Sequence, residues 1–129
     1  MMKGMLAKAG IGGAKPHLGL LRTAYRNGEA VAGYVQVSGG GTGQRIERLT
    51  VSVKQRNAAF PLAVTEYTEL DITGPFAIEQ GEERHFPFVY KLPLQEQEDA
   101  QTLFELVATL YIAGARRERD TAEIFIRTA

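Results

Sequence analysis

Apolar and polar residues alternate at every second position along most of this chain, a period that suits strands buried on one face and suits no helix. Val31, Gly33, Val35 and Val37 fall on one side of a segment whose other side holds Ala32, Tyr34, Gln36 and Ser38. Leu49, Val51 and Val53 repeat the pattern. Ile46 has the opposite parity, so a bulge near Glu47-Arg48 is needed to turn all four inward. Phe86, Phe88, Tyr90 and Leu92 form the most apolar stripe, with His85, Pro87 and Lys91 opposite. Pro87 cannot donate to a ladder, which predicts a sheet edge or a bulge there.

Turn residues cut the alternation into about eight strands. His17 to Tyr25 reads as the first, and Arg26-Asn27-Gly28-Glu29 supplies the Asn-Gly pair of a tight antiparallel hairpin into the second. Ser38 to Gly43 is a glycine-rich loop, and Arg45 to Arg56 is the next strand. Leu62 to Ile72 reads as one long, partly exposed strand, and Phe76 and Ile78 as a short one. Leu103 to Ala113 and Ala122 to Arg127 close the series, joined by Gly114 to Asp120. A helix is expected only as one short turn near Lys3 to Ala9. The fold predicted is all-β, an antiparallel, immunoglobulin-like β-sandwich over residues 17–129, led by a short helical or flexible segment at residues 1–16. With 129 residues, a single domain is expected.

Fifteen Lys and Arg balance fifteen Asp and Glu, which argues against the broad basic field of a non-specific nucleic-acid binder. The balance conceals a split: residues 1–65 carry net +7 and residues 66–129 net −7. In a sandwich the halves can neutralise each other across the fold; segregated into separate sheets they would make a dipole able to orient one subunit against another. No Cys is present, so disulfides, thiolate metal sites and cysteine nucleophiles are excluded. The histidines, His17 and His85, are too few and too far apart in sequence for a catalytic zinc site. No apolar run approaches a membrane span, and the start lacks a signal-peptide core. A soluble cytoplasmic protein without cofactor, metal or stable membrane insertion is expected.

The candidate sites are sparse. Gly10-x-Gly12-Gly13 and Gly39-Gly40-Gly41-x-Gly43 lack the strand-then-helix setting and the Lys-Ser/Thr ending of a phosphate loop, so they read as plain turns. Glu83 and His85 share a strand face without a third group to orient them, and no nucleophile elbow occurs, so no enzyme is expected. Arg116-Arg117-Glu118-Arg119-Asp120 is the densest charge cluster. Arg116, Arg117 and Arg119 could grip an acidic partner or a phosphate through their planar forks. The plainer reading is a solvated hairpin tip, unless the tip faces an interaction surface. The rings of Phe76, Phe86, Phe88, Tyr90, Phe104 and Phe125 are assigned to the core rather than to a ligand platform.

Several short motifs resemble the SpoOM sporulation-control family. Ala9-Gly10-Ile11-Gly12-Gly13-Ala14-Lys15 looks like its start. Gly28-Glu29, Val31-x-Gly33-x-Val35-x-Val37-x-Gly39-Gly40 and Gln44-x-Ile46 match its second and third strands. Gly81-Glu82, Phe86-Pro87-Phe88, Leu92-Pro93 and Thr109-Leu110-x-Ile112-Ala113-x-Ala115 follow in order. The chain departs from the pattern at Tyr111, where the family has an acidic residue, and at Arg116-Arg117, where it has Asp-rich positions. The resemblance implies a single arrestin-like lobe acting as a non-catalytic regulatory or protein-binding module, with protein partners and self-association. A small-molecule or carbohydrate-binding sandwich is the alternative, and it requires a concave apolar pocket.

Overall fold

The computed structural model describes residues 12–57, 60–66, 69–94 and 102–127. The expected helical turn at Lys3 to Ala9 lies outside them. Among the described residues ten strands are present: β1 (Lys15–Leu20), β2 (Ala24–Arg26), β3 (Ala30–Ser38), β4 (Gln44–Asn57), β5 (Phe60–Glu66), β6 (Leu70–Thr73), β7 (Phe76–Ile78), β8 (Glu83–Lys91), β9 (Thr102–Ile112) and β10 (Glu118–Arg127). They form two sheets. One runs β1-β3-β8; the other runs β2-β10-β9-β4-β5, with β6 and β7 also paired to β4. Among the described residues no helix is long and apolar enough to cross a membrane.

The inward halves of the alternating strands meet between the sheets. Val31, Val35, Val37, Phe88 and Tyr90 come from the three-stranded sheet, and Ile46, Leu49, Val51, Val53, Phe104, Leu106, Leu110 and Ile124 from the seven-stranded one. The strands that carry these residues thus each present one apolar face to a shared core, as a sandwich requires. Side chain to backbone bonds also tie the layers: Leu18 N–H donates to Asp120 Oδ2 at 2.7 Å and Ala14 N–H to Gln44 Oε1 at 2.7 Å. The β4–β9 register jumps from Arg48↔Tyr111 to Ile46↔Ile112, so Glu47 is the extra residue that restores Ile46 to the core. Pro87 sits on β8, which among the described strands pairs only with β3 and so lies at the edge of their sheet.

Four expectations need correction. His17 to Tyr25 is not one strand: the chain leaves the small sheet after Leu20 and re-enters as β2 in the large sheet, parallel to β10. Asn27-Gly28 is consequently a corner between sheets and not a two-strand hairpin, although Gly28 does take the positive φ of 77° that the turn demands. Leu62 to Ile72 divides into β5 and β6, which pair with different stretches of β4. Phe125 is 58% exposed, because its parity on β10 points it away from the core that holds Ile124. The charge halves are interleaved: both sheets contain strands from each, and Lys15–Glu118 (3.3 Å) and Arg48–Asp71 (2.8 Å) pair across them. The dipole between sheets is not what the fold builds.

Candidate functional site

The solvent-facing side of the large sheet is set by the parity that fills the core. With Leu49, Val51 and Val53 inward, Arg48, Thr50, Ser52 and Lys54 of β4 face outward. Cross-strand register then assembles rows: Arg48 beside Tyr111, Thr50 beside Thr109 and Arg119, Ser52 beside Val107 and Thr121, and Lys54 beside Glu105 and Glu123. Next along β9 come Leu103 and, on β10, Phe125, both exposed.

At the Tyr111 end this face is hollowed into an open groove of ≈150 Å³ lined by Ser52, Lys54, Glu69, Val107, Thr109, Tyr111, Arg117 and Arg119. Its floor is buried even though it lies outside the core: Val107 is 2%, Thr109 3% and Ser52 9% exposed. The walls stand up from three directions. Lys54 comes from β4, Arg117 and Arg119 from the turn into β10 and the start of that strand, and Glu69 from the approach to β6. Arg116 is exposed in the same turn and does not line the groove.

Tyr111 organises the closed end. Its hydroxyl donates to Glu69 Oε2 at 2.8 Å, and Thr50 Oγ1 donates to the same oxygen at 2.8 Å. The guanidiniums of Arg48 and Arg117 lie 5.1 and 4.8 Å from the centre of the Tyr111 ring, within cation–π range. Arg48 also reaches Glu69 at 3.5 Å and Asp71 at 2.8 Å. Burial pushes the Glu69 carboxyl up, but the Tyr111 and Thr50 hydroxyls and the Arg48 charge outweigh it and hold the carboxyl below its ordinary value. Burial, then the bond to Glu69, pushes the Tyr111 phenol up. A lowered folded-state carboxyl supplies stability above its unfolded value and loses it as pH falls through the folded one. Tyr111→Phe should therefore move the Glu69 midpoint upward in a carboxyl NMR titration, at a stability cost of at most about 1 kcal/mol. An unmoved midpoint would remove Tyr111 from this role.

The other candidates stay apart. His17 and His85 flank Gln36 in one row on the outer face of the small sheet, where His85 lies 6.2 Å from the Tyr34 ring. Among the described residues no three metal-ligating side chains gather. Phe88, Tyr90 and Phe104 are packed in the core, and the groove is polar and below the roughly 300 Å³ of a drug-sized ligand site. Of the three arginines, the fold brings Arg117 and Arg119 into the groove. Sequence reading missed Ser52, Lys54, Thr109 and Glu69; for the β4 pair the signal was present as the polar half of the alternation that located Leu49, Val51 and Val53.

Comparison with known proteins accords with this architecture. A family model described as SpoOM protein matches residues 2–129. The sporulation-control protein spo0M of Bacillus subtilis (strain 168) is 33% identical over 130 residues, covering 96% of this chain and 50% of its own length. A crystal structure of Spo0M from Bacillus subtilis superposes with a TM-score of 0.81 at 30% identity, over 92% of this chain and 51% of that one. This chain thus spans about half the length of the relatives it matches. A cycloisomaltooligosaccharide glucanotransferase from Paenibacillus sp. has a TM-score of 0.57 at 11% identity, covering 92% of this chain and 14% of its own, a likeness of fold alone.

Proposed function

Because the chain belongs to the SpoOM family, we propose that it is a non-catalytic regulatory module that works by binding protein through the outer face of the large sheet, with a second copy of itself as the partner. One observation carries the reading: the β10 strip of that face is self-complementary in charge. Arg119 lies at one end, and Glu123 and Glu105 lie four residues further along the same faces of β10 and β9. Glu105 and Glu123 are directly opposite each other, an arrangement of like charges that a neighbouring cation relieves. A two-fold axis along the Ser52–Val107–Thr121 row sets Arg119 of each copy against Glu123 of the other, and Arg117 against the exposed Phe125. Each favourable contact then occurs twice.

Sedimentation velocity over a range of protein and salt concentrations tests this. A dimer is expected at low salt, with dissociation as salt rises. Arg119→Glu alone and Glu123→Arg alone should each be monomeric, and their equimolar mixture should recover a mixed dimer. A wild-type chain that stays monomeric at every concentration, or a dimer indifferent to both substitutions, overturns the reading.

A further inference from the structure

The groove itself offers more than a rim of charge, and we propose that it is a binding site for a phosphoryl group. Three cationic side chains, Lys54, Arg117 and Arg119, surround a floor containing the hydroxyls of Ser52 and Thr109. Among the described residues, no carboxylate forms an ion pair with any of the three cations. The one acid in the wall, Glu69, is already engaged by Tyr111, Thr50 and Arg48.

The arrangement selects among anions. A carboxylate presents two oxygens in one plane and is satisfied by a single guanidinium fork. A phosphoryl group carries about −1.5 to −2 charge and three strong acceptor oxygens on a tetrahedral centre. Donors converging from β4, β9 and β10, with hydroxyls below and cations above, match the second shape. The buried floor matters too, because an anion resting on Thr109 and Ser52 is partly withdrawn from water, where charge-assisted bonds strengthen. The ≈150 Å³ holds a phosphoryl group and its ester linkage, and the open side leaves room for the rest of a ligand to extend into solvent. Phosphoryl binding shares Arg119 with the self-association surface without resting on that reading, and an occupied groove takes Arg119 away from Glu123 of a second copy.

Amide NMR titration of the protein at low ionic strength tests the site, with inorganic phosphate, a phosphoserine peptide, its unphosphorylated counterpart and acetate as probes. Saturable shifts are expected at residues 52, 54, 109, 117 and 119 for phosphate and for the phosphopeptide. The unphosphorylated peptide and acetate should produce none. Tighter binding of the phosphopeptide than of phosphate assigns a modified side chain as the source; the reverse order assigns the free anion. Arg117→Gln and Arg119→Gln should each weaken binding about tenfold or more, while Arg116→Gln, outside the groove, leaves it unchanged. The amide spectra report at once whether each variant is folded. Shifts that never saturate, acetate binding as tightly as phosphate, or equal weakening by Arg116→Gln and Arg119→Gln overturn the proposal. Lost phosphate binding with an intact dimer sinks this inference alone; a monomer that still binds phosphate sinks the self-association reading alone.

Discussion

Gly40→Ala is expected to cost about 3 kcal/mol of folding stability and to lower Tm by roughly 10 °C. A β-carbon at this position would fall on the carbonyl oxygen of Gly12, with the carbonyl carbons of Gly12 and Gly13 at 2.5 and 2.6 Å. The obstacle is backbone, which cannot swing aside as a side chain can. The loop is moreover held on two sides: Gly41 N–H donates to Gly12 O at 2.7 Å, while the bonds from Gly39 N–H to Glu82 O at 2.6 Å and from Gly81 N–H to Gly40 O at 3.2 Å tie it to the turn before β8. Relieving the clash pulls on all three bonds and on the strand β1 that follows Gly13, and each bond contributes about 1 kcal/mol. Gly74→Ala is the control, since nothing lies within 4 Å of a β-carbon there. Urea unfolding should place Gly40→Ala well below wild type and Gly74→Ala within about 0.5 kcal/mol of it. A Gly40→Ala protein as stable as wild type would show that the glycine loop does not fasten the N-terminal segment.

That loop marks how far the sequence alone could be read. Its glycines announce a turn, but the reason for Gly40 is a carbonyl 28 positions earlier, and no local pattern encodes such a contact. Period-two alternation tells which side of a strand faces inward, and it placed Val31, Val35, Val37, Leu49, Val51, Val53, Phe88 and Tyr90 correctly, along with the Glu47 bulge and the Pro87 edge. It says nothing about which sheet a strand joins. The switch of sheets between Leu20 and Ala24 and the parallel β2–β10 pair were therefore invisible, since they depend on pairing across about a hundred residues. The site divides the same way. Arg116, Arg117 and Arg119 stood out as a run of charge; all three are exposed, as a solvated tip would be, and only pairing across strands shows that Arg117 and Arg119 also line the groove. Glu69 could not be found from sequence, because its meaning comes from Thr50, 19 positions before it, and Tyr111, 42 positions after it.

Two leucines three residues apart on β9 should respond very unequally to the same truncation. Leu106 is fully buried between Val53 of β4 and Ala122 of β10, facing the small sheet. Leu106→Ala removes buried apolar volume that close-packed neighbours cannot refill, and the expected cost is about 3–4 kcal/mol. Against the 5–15 kcal/mol typical of a whole domain, that is enough to shift the urea midpoint visibly and to unfold a measurable fraction on mild heating. Leu103 lies opposite Arg56 on the other face and is 41% exposed, so Leu103→Ala should cost under about 1 kcal/mol. The contrast tests the register itself, because a slip of one residue exchanges the two faces of β9 and reverses the order of the two variants. A reversed order would also turn Val107, Thr109 and Tyr111 inward, dismantling the groove and both surfaces proposed on it. The unfolding midpoints of these two proteins therefore bear on function as directly as on stability.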